Sequence, residues 1–491
     1  MSNDITNDTL GMLKGLYKDG QLSKAGNTVT TGTGLVPFPL QAPAKNLYPV
    51  ITILGKRIPR VKGKGGTATN WKQVSAIVGS GWDNSGWVPE GQRAGVMSIS
   101  VQNKAAAYAT LGEEGALTFE ASSASEGFED ERSRTSIRVL QKAMLKEEIG
   151  ILCGNASLQL GIANTPTLSA AGTTGTLAAA TYSVIVVGLT MEGYLNSSIA
   201  NGVATTKVIT GQDGQTFSLS GGSGQKSVGA TLAITLGQVL SASVVAKTGE
   251  TAWAWYVGLA GSEVLQSITT VPSASFAAPL ATGTQAATAA AADNSANPNT
   301  AFDGLLTTAL KSGSSAYVKN LNGAFLTASG RGTVNEIDAL LKYQWDNTRT
   351  SPSLMLVNSQ EQLNLTNKVL SGTSGSLLRQ NVTIDGNGEI HAGQVIGFYF
   401  NPFALGGGKM IPVLLHPNLA PGTILLWAED LPSQYQSNNV PQVAEMHVRR
   451  DWYDIEWPLT RRSYQHGIYV EETLAVYAPF AMAALIGVGN G

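Results

Sequence analysis

Residues 444–487 read A-E-M-H-V-R-R-D-W-Y-D-I-E-W-P-L-T-R-R-S-Y-Q-H-G-I-Y-V-E-E-T-L-A-V-Y-A-P-F-A-M-A-A-L-I-G. Apolar and polar residues alternate through long parts of this segment, as they do in β-strands that bury one face. The segment is rich in arginine and acidic residues, its end is apolar, and it holds no nucleophile–base pair or cluster of metal ligands. We predict that it holds neighbouring molecules together, that the protein is not an enzyme, and that it needs no cofactor.

The composition of the chain narrows the class of protein. Its 491 residues exceed what one hydrophobic core organises, so we expect two or three compact units. The net charge of −2 gives no basic excess for binding nucleic acid. There is no run of about 18 apolar residues and the first residues are polar, so we expect neither a membrane span nor a secretory signal.

Isolated features that resemble reactive sites have structural explanations. Cys153 is the one cysteine, so no disulfide forms within the chain, and we expect a small buried side chain. G-G-G-K at 406–409 lacks the Ser or Thr that would complete a phosphate loop, because Met410 follows it. The spacing of the histidines gives no metal pair, and we interpret each as structural: His391, His416, His447 and His466.

The first part of the chain has the pattern of an extended arm. Prolines interrupt residues 1–58 and forbid a helix in its second half, whereas apolar residues between the prolines need a surface to cover. We predict an N-terminal arm that lies along neighbouring subunits, with a disordered leader as the alternative.

A long β-hairpin is predicted between Gly65 and Glu120. Its tip is rich in glycine, and its return strand alternates, with Met97, Ile99 and Val101 on one face. An isolated hairpin is barely stable in water, so we predict that a second chain covers it. The candidate contact residues at its tip are Trp82, Trp87 and Arg93.

A long helix is predicted from about Ser125 to Cys153. Ser123 and Glu126 form a capping-box pattern, and apolar residues recur at helical spacing in the part that follows, at Ile137, Leu140, Met144 and Ile151. The charge run 129–134 indicates either a solvated face or pairing between subunits, and its candidates are Glu129, Arg132 and Arg134.

The composition changes between residues 164 and 299. Charged residues become sparse, and short strand patterns alternate with glycine-rich turns, which indicates an inserted antiparallel β-sandwich of immunoglobulin-like class. W-A-W-Y at 253–256 supplies aromatic residues for its centre. After the insertion, helix and strand patterns between Val334 and Ala428 indicate an α+β unit.

The order of these elements resembles the Hong Kong 97-type fold of tailed-phage major capsid proteins. L-Y-P-V-I-T-I-L-G-K-R-I-P-R-V at 47–61 looks like the passage from arm to extended loop, and L-M-L-V-N-S-Q-E-Q at 354–362 resembles the entry of the axial domain. G-I-Y-V-E-E-T-L-A-V-Y-A-P-F-A at 467–481 resembles the terminal peripheral strand.

The resemblance implies an α+β capsid fold with an all-β sandwich insertion. We expect the arm at 1–58, an extended hairpin loop at 59–112, a peripheral domain with a spine helix at 113–163 and again at 300–350, the insertion at 164–299, an axial domain at 351–435 and closing peripheral strands at 436–491. No fused scaffolding segment is evident, which implies a separate scaffold protein or none. No residue is identified for a cross-link, and the insertion is expected on the outer surface.

The expected function is that of a major capsid protein of a tailed bacteriophage. The subunits would form hexamers and pentamers of an icosahedral shell around double-stranded DNA, without sequence-specific binding, and would work with a portal protein and with a scaffold or decoration protein. The expected location is the virion, after assembly in the bacterial cytoplasm. One alternative is an encapsulin-type cellular compartment, and another is a glycan-active or glycan-binding β-protein.

The densest group of mixed charges lies in the segment quoted first. Strand faces that carry such charges are ordinarily exposed, where each ion pair contributes about 0–1 kcal/mol. The alternative is pairing between subunits around local threefold axes. The candidate interface residues are Arg449, Arg450, Asp451, Arg461 and Arg462.

Overall fold

The computed structural model describes residues 50–63, 65–78, 86–125, 130–329, 332–371, 396–436 and 441–490. Most of the predicted arm, Trp82, Glu126, Glu129 and His391 lie outside the described residues. The chain divides into two compact units, Met1–Pro49 with Glu120–Glu131, and Val50–Phe119 with Arg132–Gly491. All the sheets belong to the second unit.

The elements alternate between strands and helices along the chain. The helices are α1 (Phe119–Ser125), α2 (Glu131–Cys153), α3 (Met191–Asn196), α4 (Leu305–Leu310), α5 (Asn335–Thr348) and α6 (Ser359–Ser371). The strands are β1 (Arg60–Lys62), β2 (Ala68–Val78), β3 (Ser98–Ala107), β4 (Ala109–Thr118), β5 (Thr167–Ala171), β6 (Ala180–Leu189), β7 (Thr206–Thr210), β8 (Thr216–Ser220), β9 (Ala230–Ile234), β10 (Val239–Ser243), β11 (Ala252–Gly258), β12 (Val264–Thr269), β13 (Ser273–Phe276), β14 (Tyr317–Asn320), β15 (Leu354–Val357), β16 (Phe398–Asn401), β17 (Lys409–Leu415), β18 (Ile424–Trp427), β19 (Ala444–Glu456), β20 (Ser463–Val476) and β21 (Met482–Ile486).

Sheet A contains the long strands of the quoted segment. Its order is β1-β19-β20-β4, with β1 parallel to β19 and the other pairs antiparallel. The apolar residues of one face, such as Val448, Val470 and Leu474, share a core with Ile151 and Leu152 at the end of α2. The long helix is thereby fixed to the sheet by its C-terminal half.

Sheet B is buried on both faces. Its order is β14-β21-β18-β15-β17-β16. Met355 and Val357 of β15 pack with α5 and α6, while Leu354 and Leu356 enter the core shared with sheet A and α2. Strands buried on both sides need uninterrupted apolar runs, which explains L-M-L-V in β15 and I-L-L-W in β18.

Two further sheets face each other between residues 167 and 276. Sheet C has the order β13-β10-β5, and sheet D has the order β12-β11-β6-β9. Trp253 and Trp255 of β11 lie in the core between the sheets, whereas Ala254 and Tyr256 pack on the opposite face of sheet D. The W-A-W-Y motif therefore fills two cores because successive side chains of a strand point to opposite faces.

The chain enters and leaves this sandwich along two adjacent segments. The Leu160 amide donates to the Ser295 hydroxyl at 3.0 Å, and the Gly161 amide donates to Asp293 at 2.9 Å. Next to these bonds, the backbone N–H of Asn297 donates to the backbone carbonyl of Asn155 at 2.8 Å. The sandwich is thus joined to the chain through segments that run side by side.

The long helix differs from its prediction in its start and in its buried face. Ser123 lies inside α1 and α2 begins at Glu131, so the capping-box prediction is wrong. Ile137 is 56 % exposed, and the buried face instead carries Val139, Ala143, Glu147, Glu148, Ile151, Leu152 and Cys153. The face is rotated because the two glutamates find buried partners, described below, that local sequence does not indicate.

Two strand assignments also change. The hairpin ends at Ala107, because β4 pairs with β20 instead of continuing beside β2. Sequence reasoning grouped β21 with the two preceding strands, but its partners are β18 and β14 of sheet B. Within residues 164–299, three strands, β5, β8 and β13, are missing from the prediction because their serine, threonine and alanine content gives little apolar periodicity.

Candidate assembly interface

The β2–β3 hairpin exposes apolar side chains that have no core of their own. The two strands pair only with each other, in a register that sets Val74 opposite Val101. Met97 is 59 % exposed, and Ile99 and Val101 are each 51 % exposed. Trp87, one of the predicted contact residues, is 95 % exposed. Met97, Ile99 and Val101 form an apolar stripe along β3. At least half of the surface of each of these side chains is open to solvent.

The root of the hairpin, by contrast, is anchored firmly on sheet A. The Trp71 ring meets the Tyr477 ring edge-on at a centroid distance of 5.6 Å. The Thr69 hydroxyl lies 3.3 Å from Nδ1 of His447, and Nε2 of His447 lies 2.7 Å from the Tyr477 hydroxyl. The Tyr477 hydroxyl donates to Glu445 at 2.9 Å.

This chain of hydrogen bonds fixes the neutral form of His447. Because Tyr477 uses its proton on Glu445, Nε2 of His447 donates to the Tyr477 oxygen, and Nδ1 accepts from Thr69. Burial lowers the pKa of His447, which the nearby Glu445 carboxylate opposes. The histidine is structural, and it orients the hairpin at its base.

Arg449 adds a second anchor at the same root. Its guanidinium donates to Glu471 at 2.6 Å and to the Gly66 carbonyl at 3.1 Å, and it lies over the Tyr108 ring at 5.6 Å. Sequence reasoning expected Arg449 to pair across subunits. The structure shows that its contacts within the chain already join β19, β20 and both ends of the hairpin.

The other charged candidates divide into two groups. Asp451 pairs with Arg60 at 3.0 Å, and Arg132 pairs with Glu456 while its guanidinium lies 4.8 Å from the Tyr464 ring centre. Arg450 lies over the Tyr453 ring at 4.6 Å. These three residues make contacts within the chain. The side chains of Arg93, Arg461 and Arg462 are exposed, and Arg134 is half-buried on α2. Contacts of all of them with other subunits stay predictions.

A buried charge cluster that sequence reasoning missed lies between β1, α2 and sheet A. Arg60 donates to Glu147, to Glu472 at 2.9 Å and to Asp451 at 3.0 Å. The Glu472 side chain is 0 % exposed and the Glu147 side chain is 5 % exposed. Nothing in the local pattern E-E-T-L of β20 distinguishes a buried glutamate from an exposed one.

A second buried glutamate ties the chain before β1 to α2. Oε1 of Glu148 accepts from the amides of Ile53 and Leu54 at 2.8 and 2.7 Å, and Oε2 accepts from the Gly55 amide at 2.9 Å. Nε2 of His416 also donates to Oε1 at 3.0 Å. Burial acts to raise the pKa of Glu148, but His416 and the three amides together hold it below its ordinary value.

The possible metal ligands are dispersed in the described residues. Across them, no group of three or more His, Cys, Asp or Glu side chains is placed to hold a metal ion. Within the same part of the chain, no helix is both long enough and apolar enough to cross a membrane. Cys153 is buried, and burial raises its pKa well above the ordinary value, which makes its thiol unreactive.

Comparison of the sequence with protein-family models and with curated proteins finds no match. The structure, however, is similar to solved capsids of tailed phages. The capsid of a native GTA particle matches 95 % of this chain and 100 % of its own at 10 % identity, with a TM-score of 0.42. The capsid of Myoviridae phage XM1 matches 94 % of this chain and 100 % of its own at 11 % identity, also with a TM-score of 0.42.

A cellular compartment is also similar to this chain. The encapsulin SrpI of Synechococcus elongatus matches 91 % of the chain and 93 % of its own at 9 % identity, with a TM-score of 0.32.

Proposed function

We propose that this protein is the major subunit of a tailed-phage capsid and assembles into hexamers and pentamers of an icosahedral shell around double-stranded DNA. The observation that carries the proposal is the β2–β3 hairpin, which is anchored at its root by Arg449, His447 and Trp71 yet exposes an apolar stripe along β3. A rigid root with an uncovered arm is what a subunit needs to reach over its neighbour.

Correct assembly of a closed shell favours many weak contacts between subunits over one strong contact. A shell closes correctly when each contact is weak enough to reverse, and ring closure then adds avidity. The stripe on β3 and the exposed side chain of Arg461 offer contacts of this kind. The portal and any scaffold or decoration protein would join such a shell, and the virion would be its final location.

The domain layout belongs to the same proposal. Sheet A with α2 would form the peripheral domain, and sheet B with α5 and α6 would supply the axial domain. The sandwich of sheets C and D would be an immunoglobulin-like insertion displayed on the outside of the shell. Support comes from the paired segments around Leu160 and Asp293, along which the chain enters and leaves the sandwich.

Purified protein tests the proposal directly. We expect analytical ultracentrifugation to show large assemblies, and negative-stain microscopy to show closed particles of uniform diameter. DNA inside particles recovered from phage would separate the capsid from an encapsulin-type compartment, which carries protein cargo. A monomer that remains monomeric under all assembly conditions and cleaves a polysaccharide would refute the proposal.

Replacing the apolar stripe is expected to block assembly without unfolding the subunit. In a Met97→Ser, Ile99→Ser, Val101→Ser variant, the side chains removed are at least half exposed, so the thermal midpoint of the monomer should change little. Particle yield in the ultracentrifuge should fall at least tenfold, because each covered side chain contributes about 1–2 kcal/mol at an interface.

The matched control changes exposed apolar residues on the separate β7–β8 hairpin. Val208→Ser with Phe217→Ser removes side chains that are 65 % and 52 % exposed. Particles of normal yield are expected. Equal losses in both variants would mean that general solubility, and not the β3 stripe, controls assembly.

Removal of residues 165–298, with a short linker in their place, is expected to leave a chain that still forms shells. The deletion also removes Ser295 and Asp293, the partners of Leu160 and Gly161, but the cut ends belong to the two segments along which the chain enters and leaves the sandwich, so a short linker can join them. The shells should dissociate at lower denaturant concentration than wild-type shells. A truncated chain that cannot fold would show that the sandwich is part of the core and not an insertion.

A further inference from the structure

The Arg60 cluster contains more acidic groups than its single guanidinium can neutralise. Arg60 contacts three carboxyl groups, those of Glu147, Asp451 and Glu472. The Asp451 side chain is 66 % exposed and shares its charge with water, but the other two are nearly inaccessible. Two buried carboxylates beside one cation leave an excess negative charge in a medium that solvates it poorly.

The hydrogen bonds show which buried carboxylate oxygen lacks a donor. Oε2 of Glu472 accepts from Arg60, but its buried Oε1 has no donor among the described residues. An ionised carboxylate only accepts hydrogen bonds, so two ionised glutamates cannot satisfy each other. If one proton binds to the pair, Glu472 donates to Glu147 and the unsatisfied oxygen is supplied with a partner.

The remaining charged groups on the surrounding elements do not supply a second cation. Lys62 lies on β1 with an exposed side chain, and Lys146 on α2 pairs with Glu113 of β4. Arg449 is committed to Glu471, which neighbours Glu472 along β20 and therefore points to the opposite face of sheet A. Arg450 is exposed and lies over Tyr453.

The cluster is also a structural joint. Arg60 belongs to β1, Glu147 to α2, Asp451 to β19 and Glu472 to β20, so this one group of side chains links four elements. The next residue of α2, Glu148, holds the chain segment at 53–55. A change of charge at the joint therefore acts on the attachment of both β1 and the long helix to sheet A.

We propose that Glu147 and Glu472 share one proton in the assembled subunit, and that loss of this proton in alkaline solution loosens the joint between β1, α2 and sheet A and destabilises the shell. The second half of the proposal rests on the proposed capsid function, whereas the first half concerns the single chain. Such a site would make the subunit sensitive to base.

The acid–base behaviour of Glu472 agrees with this geometry. Burial, and then the neighbouring Glu147 carboxyl, raise the pKa of Glu472 from 4.5 to about 8, although Arg60 opposes the shift. While the cluster is intact, Glu472 keeps its proton up to about pH 8. Once the cluster has opened (the open joint), Glu472 releases the proton near pH 4.5. Between these two values each rise of one pH unit favours the open joint by about tenfold, and above pH 8 the effect levels off.

Hydrogen exchange of the unassembled chain at several pH values tests the first half. Peptides that cover β1 and the C-terminal half of α2 are followed by mass spectrometry, with rates corrected for intrinsic exchange. In the wild type we expect the opening constant of these peptides to rise about tenfold per pH unit between pH 6 and pH 8. In Glu472→Gln this slope should disappear, because the amide donates to Glu147 and accepts from Arg60 at every pH.

A matched variant separates the joint from general charge effects. Glu113→Gln removes a carboxylate that pairs with Lys146 outside the cluster, and it should keep the wild-type slope. A Glu472→Gln protein with the wild-type slope would overturn the proposal, as would a wild type without any slope.

The shell provides the second readout. Wild-type particles should release subunits above about pH 8, whereas Glu472→Gln particles should stay intact, as followed by light scattering. If shells form and both proteins dissociate alike, the proposed joint is wrong while the capsid function stands. If no shells form at all, the capsid function fails, and the exchange experiment on the single chain still decides the shared proton.

Discussion

Replacement of Glu148 by glutamine is expected to destabilise the folded chain by about 3–5 kcal/mol, the usual cost of breaking a buried, fully paired charge. Glu148 accepts hydrogen bonds from three amides at 53–55 and from His416. A glutamine keeps the shape of the side chain, but it turns an amide NH₂ toward one of these donors and removes the negative charge that strengthens all of them.

Thermal unfolding and hydrogen exchange measure this effect. The midpoint should fall by several degrees, and the amides of Ile53, Leu54 and Gly55 should lose protection before the rest of sheet A. The matched control is Glu113→Gln, because Glu113 pairs with Lys146 near the surface and should contribute only about 0–1 kcal/mol. Equal stability of the two variants would show that the buried carboxylate does not hold the segment.

The pH dependence provides an independent check. The pKa of Glu148 is lowered in the folded chain, so its contribution to stability is present above the ordinary carboxyl value of 4.5. That contribution is lost as the pH falls through the lower, folded value. The variant should therefore lack part of the acid sensitivity of the wild type, in the opposite pH range from the one expected for Glu472.

Replacement of Trp255 by alanine is expected to destabilise the sandwich strongly, so that it opens more readily than sheets A and B. The side chain is 0 % exposed between sheets C and D, and its indole donates to the Thr269 hydroxyl at 2.7 Å. Truncation of a buried tryptophan costs about 3–5 kcal/mol through lost burial and the cavity that remains. A domain of this size has only about 5–15 kcal/mol of stability to lose.

Limited proteolysis shows which region of the chain has become accessible to cleavage. New cleavage sites should lie between residues 164 and 299, while the fragments on either side stay resistant. Trp255→Phe is the conservative control, since it keeps most of the volume and loses the hydrogen bond at a cost of about 1 kcal/mol. Cleavage spread evenly along the chain would mean that the sandwich does not unfold on its own.

The sequence predicted elements well wherever burial imposes a simple pattern. The runs of β15 and β18 are apolar because both of their faces are covered, and these strands lie where sequence reasoning placed them. The W-A-W-Y motif was likewise recognised as a core strand. In these cases the residues are apolar because they are buried away from water, whichever residues they contact.

The candidate site was much harder to predict, because its important contacts join residues far apart in the chain. Arg60 reaches Glu472 across 412 positions, and Glu148 reaches His416 across 268. A glutamate that finds such a partner is indistinguishable, in local sequence, from one that faces water. Glu147 and Glu148 lie three and four residues after Met144, on the face that periodicity marks as apolar, but the pattern does not show that these two charged side chains are themselves buried.

The position of β21 has a consequence for synthesis on the ribosome. This strand is translated after every other strand of sheet B, yet it lies between β14 and β18 in the interior of the sheet. Until residue 486 has emerged, both of these neighbours present unpaired backbone edges, which are sites of aggregation. Nascent chains that stall after β20 should therefore depend on chaperones, and sheet B is completed once β21 has emerged.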